Sequence, residues 1–339
     1  MKKTLAIILV LVMMVCVFSA TAAAADKTVT IKLGFTHANP DRNVDDEVMY
    51  AETFKEYVES HSDTIKVELY PGNALGSQAD TVGAVASGTV EMTIQNSSQL
   101  NNYDVNTMIF GMPGTFSSIE ETNKVLDTDW AKDLMAASAE ITGIRVLGNS
   151  CTGMRSFTCK GHEIRSVEDA AGLTFRVPES AIYIEIVKAI GANPVPMPSS
   201  EMYVAMQNGV VDGQENPIQN VVIDKTYEVQ DWIVMDEHIP SMSAVYFNEA
   251  LYESLSDNQK KVIDDAAATA QAAAREVVTA ILANGIETLQ NNGMTVYIPT
   301  DAEKEAWHEA YGPYCEKYLR GVVGDQIVNE FQATIAANR

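Results

Sequence analysis

The sequence predicts an α/β protein of two lobes, each a mostly parallel sheet flanked by helices, with one long helix bracing both. Three observations carry this. Period-two apolar runs alternate with helical ones up to Asn96, the same grammar returns between Ser166 and Pro217, and a helical pattern runs from Ser256 to about Asn291. A length of 339 residues suits two domains rather than one.

Thr28 to Phe35 alternates, with Val29, Ile31, Leu33 and Phe35 on one face, and reads as a half-buried strand running into the turn Thr36-His37-Ala38-Asn39-Pro40. Val44, Val48, Ala51, Phe54 and Val58 recur at helical steps. Ile65 to Tyr70 is a second strand stopped by Pro71-Gly72, and a helix over Gln78–Ser87 leads through Gly88 into the strand Val90-Met92-Ile94. In the second half, Ser166 to Asp169 forms a capping-box pattern at the start of a short helix. Leu173 to Val177 is a strand broken by Pro178, Ser180 caps a helix ending at Gly191, Ser200 starts another ending at Gly209, and a strand from Val210 reaches Asn216. Pro217 sits where a first helical residue belongs. Gly88-Thr-Val-Glu91 and Gly209-Val-Val-Asp212 each follow a helix and lead to an Asn, a weak echo between lobes. The long pattern through Val262, Ala266, Ala273, Val277 and Ile281 spans roughly 50 Å, enough to cross both lobes, with Gly285 as a bend or handover. The expected division is residues 26–152 with about 242–284 in the first lobe, and 153–241 with about 285–339 in the second.

Met1-Lys2-Lys3, an apolar run from Leu5 to Phe18 and the small-residue stretch Ser19 to Ala25 make residues 1–25 a cleaved signal peptide, with cleavage between Ala22 and Asp26. The run is short for a membrane span. Cys16 lacks the small-residue context of a lipoprotein signal, so no lipid anchor is expected. The expected product is an exported, soluble, periplasmic protein.

The chain carries 23 basic and 46 acidic residues, a net charge of −23, and loss of Lys2 and Lys3 with the leader takes this to −25. Such a surface repels polyanions and excludes nucleic-acid binding. It does not exclude a small acid, because net charge acts at long range and is screened over about 10 Å, whereas an arginine acts at contact. Cys151, Cys159 and Cys315 remain; an oxidising compartment permits a Cys151–Cys159 bridge, and free buried thiols fit equally well.

The five histidines, at 37, 61, 162, 238 and 308, are nowhere three to five apart, and CxxC, GxSxG, P-loop and GxGxxG motifs are all missing. No catalytic residues, metal or cofactor are therefore expected. The positive evidence is positional: ligands of open α/β sheets bind beyond the carboxyl ends of strands, and there this chain places Thr36-His37, Asn96 with Ser97-Ser98, Arg176 and Asn216. In Leu173-Thr-Phe-Arg-Val177, Arg176 takes the face opposite Leu173, Phe175 and Val177, although both faces of a parallel strand are normally buried. A buried guanidinium needs an anion, either a ligand carboxylate or an internal Asp or Glu. Arg155 is a second arginine on a short extended segment, and only eight arginines occur in the chain. By residue type alone, Arg155 reads more often as a surface group, Asn96 and Asn216 more often as turn or cap residues, and His238 as structural.

Taken with Leu69-Tyr-Pro71 and Leu75-Gly76, the segments Gly172-Leu-Thr-Phe-Arg-Val-Pro178, Gly191-Ala-Asn-Pro-Val-Pro-Met-Pro198, Gly213-Gln-Glu-Asn-Pro217 and Tyr227-Glu-Val-Gln230 resemble the extracytoplasmic solute-binding proteins of TRAP transporters, the DctP family. The resemblance covers essentially the whole chain after the leader. It implies a periplasmic binding protein-like clamp, monomeric, that closes by a hinge on an organic acid (a C4-dicarboxylate, a sugar acid or a related hydroxy acid) and delivers it to membrane subunits driven by an ion gradient. Through it, Arg176 matches the arginine that forks the ligand carboxylate, Arg155 an assisting arginine, and Asn216 the asparagine beside them. Gln78 and Asn96 fall where relatives often carry acids, and as amides they point away from a ligand amine; Ser199 replaces a frequent aromatic and implies a roomier pocket. The expected ligand-binding residues are Arg176, Arg155, Asn216, Asn96, Gln78 and His37. A secreted enzyme acting on organic acids, or a binding protein serving a sensor, are the competing readings.

Overall fold

The computed structural model describes residues 26–339. The expected signal peptide and Cys16 lie outside the described residues.

Ten strands are joined in the order β2-β1-β3-β9-β4-β7-β5-β6, with β8 on β4 and β10 on β8: β1 (Val29–Phe35), β2 (Ile65–Tyr70), β3 (Met92–Asn96), β4 (Ile144–Cys159), β5 (Thr174–Val177), β6 (Asn193–Pro196), β7 (Gly213–Pro217), β8 (Trp232–Val234), β9 (Pro240–Asn248) and β10 (Thr295–Tyr297). At one end β1 pairs in parallel with β2 and β3; at the other, β5 pairs in parallel with β6 and β7. Each parallel group meets one reversed neighbour, β9 against β3 and β4 against β7. Helices fill the crossovers, among them Asp46–His61 between β1 and β2 and Gln78–Ser87 between β2 and β3. Gln78–Ser87 opens on a Ser77/Asp80 capping box and closes on Gly88 in the left-handed region.

Two apolar cores lie at the two ends. One gathers Ile31, Leu33, Phe35, Phe54, Val58, Ile65, Met92 and Phe247 with Ile263, Ala266 and Ala270 of the long helix. The other gathers Phe157, Phe175, Val177, Ile182, Ile186, Trp232, Trp307, Tyr311 and Phe331. Met108 to Ala131, expected in the first lobe, packs in this second core. Phe110 and Phe116 meet Phe331 of the C-terminal helix Asp325–Asn338 edge-on, and that aromatic contact outweighs chain proximity.

The strands β4 and β9 pair with each other and reach both ends. Their register shifts between Val146 and Gly148 and again between Cys151 and Gly153, so the sheet bends where it passes from one core to the other. Gly153 sits at φ +138°, where a Cβ would lie 2.7 Å from Pro217 Cβ, so glycine is required at the crossing.

The long helix runs Asp257–Asn291 behind a Ser256/Gln259 capping box, 35 residues and so about 52 Å. It packs on Asp46–His61, on β4 and on the short helix Ile218–Ile223, touching both ends of the molecule. The helix is uninterrupted at Gly285, and the glycine is there because Ile218 Cγ2 occupies the space a side chain would take. Other boundaries differ from expectation in detail. The strand expected from Val210 begins at Gly213, with Val210 exposed, and Ser180 makes no cap bond to its helix because its hydroxyl accepts from Asn101. The three cysteines among the described residues, Cys151, Cys159 and Cys315, are free and buried. Burial pushes the thiol of Cys151 up to about 11 and those of Cys159 and Cys315 to about 12, so they remain protonated and unreactive. No helix among the described residues is long and apolar enough to cross a membrane.

Candidate functional site

A polar cleft of about 500 Å³ opens between the two cores, and all six residues expected in a site line it: His37, Gln78, Asn96, Arg155, Arg176 and Asn216. They arrive from both ends of the molecule. His37 follows β1, Asn96 ends β3 and Gln78 opens its helix, whereas Arg176 and Asn216 sit near the carboxyl ends of β5 and β7, and Arg155 on β4.

Arg176 is 3% exposed. Its Nε and Nη2 donate to the Met197 carbonyl at 3.1 and 2.7 Å, and its Nη1 meets only the Met202 sulfur at 3.6 Å. Among the described residues no carboxylate bridges it. Burial brings its pKa down to about 10, an effect that Arg155 reinforces and the charges of Glu215 and Asp224 oppose in part. Asn216 donates to the same sulfur at 3.6 Å, and to Gln214 Oε1 at 2.6 Å. Arg176 and Asn216 therefore converge on a weak acceptor beside the cleft, and the Nη1/Nη2 edge of the guanidinium keeps the fork that suits a carboxylate.

Arg155, 1% exposed, is held differently. Nε and Nη2 donate to Glu215 Oε2 and Oε1 at 2.5 and 2.9 Å, Nη2 also to the Glu215 carbonyl at 2.5 Å, and Nη1 to Ser241 Oγ at 3.1 Å. Four of its five N–H groups are thus used within the protein. Register explains the pair: Arg155 lies opposite Pro217, so Glu215 is its diagonal neighbour across the ladder. His238 bonds Glu215 at 3.2 Å and Asp236 at 2.8 Å. Against the penalty of burial, Asp236 and Glu215 push His238 up to about 9; likewise against burial, Arg155 and His238 hold the Glu215 carboxyl below the usual range. Arg155, expected as an assisting ligand arginine, is first a member of this buried ion network, with one N–H left for the cleft.

Asn96 combines both readings of its type. Its Oδ1 accepts from the Ser98 N–H as a cap, and its Nδ2 donates to Ser241 Oγ at 3.4 Å, the hydroxyl that Arg155 also uses. Gln78 donates to Thr36 Oγ1 at 3.2 Å, which in turn donates to Gln95. Ser199 lines the cleft as a small polar wall.

The first-core side of the cleft also carries acids that sequence reasoning missed: Asp45, Asp46 and Glu47 on the first turn of Asp46–His61, with Asp224 from the opposite side. Asp45 Oδ1 bonds His37 Nδ1 at 3.0 Å, and Glu47 Oε2 accepts from the backbone N–H of Thr36 and His37. Although burial opposes it, Glu47 and Asp45 hold His37 well above 6.5. Burial, reinforced by Glu47, pushes Asp46 up to about 7, and burial also raises Glu47 and Asp224. Asp45 accepts from the Val48 N–H, so in sequence this run reads as ordinary helix capping, which masked it.

Comparison with known proteins fits this geometry. Residues 35–321 match the model of the DctP family, bacterial extracellular solute-binding protein family 7. A solute-binding protein of Roseobacter denitrificans is 31% identical over 81% of this chain and 83% of its own. A TRAP periplasmic solute-binding protein of Ochrobactrum anthropi, crystallised with a C-terminus bound in its ligand pocket, is 31% identical and superposes with a TM-score of 0.81 over 92% of this chain and 96% of its own. One from a Polaromonas species, bound to D-erythronate, is 29% identical with a TM-score of 0.83 over 90% and 98%. The chain belongs to the DctP family of TRAP periplasmic solute-binding proteins, with that family's two-domain α/β fold.

Proposed function

We propose that this protein captures a small organic acid in the periplasm, gripping its carboxylate through Arg176 and Asn216, and hands it to the membrane subunits of a TRAP transporter. The observation that carries this reading is the Arg176 guanidinium, buried at the cleft wall with its fork unmatched by any protein carboxylate among the described residues. A buried charge is tolerated only when something compensates it, and a carboxylate forked on Nη1 and Nη2 does so. Each charge-assisted hydrogen bond contributes about 1.5–3 kcal/mol, so the fork and the Asn216 amide together supply much of the roughly 8 kcal/mol of micromolar binding. The remaining Arg155 N–H, Asn96, Gln78 and His37 complete the polar lining.

The two cores act as lobes, and closure bends the molecule where β4 and β9 change register. Ligand contacts from both lobes then favour the shut state. Membership of a solute-binding family, and a relative bound to D-erythronate, support a binding role rather than catalysis. The basic and apolar leader supports export.

A thermal-shift screen over organic and sugar acids tests the reading. Acids that raise the melting temperature of the wild type are expected to leave Arg176→Ala unshifted. A ligand that stabilises both chains equally would remove Arg176 from the site, and a product appearing on incubation with a bound acid would replace binding by catalysis.

A further inference from the structure

We propose that the first-core side of the cleft is a second half-site for a cationic nitrogen, so that the ligand is a zwitterionic amino-carboxylate rather than a dicarboxylate. This rests on the carboxylate being held at Arg176.

Donors and acceptors do not balance across the cleft. Three side-chain atoms on cleft-lining residues are buried without a hydrogen-bond partner, and all three are acceptors: Asp45 Oδ2, Asn73 Oδ1 and Gln219 Oε1. Asp45 is 0% and Gln219 1% exposed. The Gln219 Nε2 donates to Asp46 Oδ1, which leaves its Oε1 without a donor. Asp45 has spent its Oδ1 on His37 and on the Val48 N–H, which leaves Oδ2 alone. The open groups of Arg176 are guanidinium donors, whereas Asp45 Oδ2 and Gln219 Oε1 are buried acceptors without a donor. A ligand satisfying both must present acceptors at one end and N–H donors at the other.

Charge points the same way. His37 faces both Asp45 and Glu47, Asp46 lies beside them, and across the cleft Asp224 is followed by Lys225, a further cation of the lining besides the two arginines. A second ligand carboxylate would be repelled beside Asp45 and Glu47, a hydroxyl offers one donor, and an ammonium offers three. His37, Asp45 and Asp46 bring ligand atoms within 4.8 Å of one another, the spacing of a metal site. His37 Nδ1 is however hydrogen-bonded to Asp45 at 3.0 Å, a bond that a metal on that nitrogen or that oxygen would have to displace and an organic cation would not. The amides Gln78 and Asn96, which in sequence argued against a ligand amine, are not where the carboxylates of this cleft reside.

The test is calorimetric titration of the full chain after its leader, at pH 7.5, with two matched sets: 4-aminobutyrate, 4-hydroxybutyrate and succinate, then 5-aminovalerate, 5-hydroxyvalerate and glutarate. Each is run with EDTA and again with 1 mM calcium chloride. In at least one set the amino acid is expected to bind tenfold or more tightly than its hydroxy and dicarboxylate counterparts, with or without calcium. Asp45→Asn should shrink the amino-over-hydroxy ratio at least tenfold, and Gln219→Met should shrink it too, which covers the case in which the Asp45 variant fails to fold. Tighter binding of the hydroxy or dicarboxylic acids would overturn the half-site while leaving the carboxylate grip intact. Binding that appears only with calcium would assign the wall to a metal and overturn it as well. Failure of all six probes to bind would count against the half-site and the carboxylate grip together.

Discussion

Arg155 and Arg176 lie on neighbouring walls of one cleft, both are nearly sealed from solvent, and they do opposite things. Arg155 has a carboxylate forked onto it within the protein, and Glu215, His238 and Asp236 extend that pair into a network. Arg176 has a carbonyl and a sulfur. The first arrangement neutralises its charge at the expense of adaptability, and the second keeps the charge uncompensated and available. Burial of an arginine therefore says little about function until its partners are counted, and the residue held least well by the protein is the one best placed to hold something else.

The comparison breaks most directly at Arg155. Arg155→Ala leaves Glu215 buried without its partner and is expected to cost about 3–5 kcal/mol of stability, read by denaturant unfolding. A loss below 1 kcal/mol would mean that the ion network is not the structural element described here. Arg176→Ala removes an uncompensated buried charge, so its ligand-free stability should be little changed or raised.

Titration sharpens the contrast next. The pKa of His238 is raised to about 9, so the stability from its charged form is complete below pH 6.5 and is lost as pH rises through about 9. His37, also raised, loses its contribution in the same direction. The melting temperature of the ligand-free chain should fall between pH 6.5 and 9.5, and His238→Gln should flatten that fall. A profile of the variant parallel to that of the wild type would detach His238 from the network.

The smallest effect tests how the lobes are joined. A methyl group at Gly285 would collide with Ile218 Cγ2, and Gly285→Ala is expected to cost about 1–3 kcal/mol despite the better helix propensity of alanine. If the variant is more stable than the wild type, the helix and Ile218 are less tightly packed than the structure has them.

Much of the scaffold was legible because its periodicities are local. β1, β2 and the helices over residues 46–61, 78–87 and 257–291 fall close to where alternation, helical spacing and the stop at Gly88 put them. The 16-residue β4 and its partner β9 were not legible. β4 carries Gly148, Asn149, Ser150, Thr152 and Gly153 through its middle, the composition of a loop, and it is a strand because β9 and β7 pair with its two ends. The pairing of Arg155 with Glu215 was hidden for the same reason, since register across a ladder cannot be read from either strand alone. All six candidate residues do line one cleft, but nothing local distinguishes an arginine whose partner is internal from one whose fork is open. The acids at 45–47 were missed because capping is what such residues at a helix start ordinarily do.

The measurement bearing most directly on the central claim is calorimetric titration of wild type and Arg176→Ala with whichever acid stabilises the wild type most, paired with thermal unfolding of both chains without ligand. The account predicts at least a hundredfold loss of affinity in a variant that melts no lower than the wild type. Equal affinity in the two chains would contradict it.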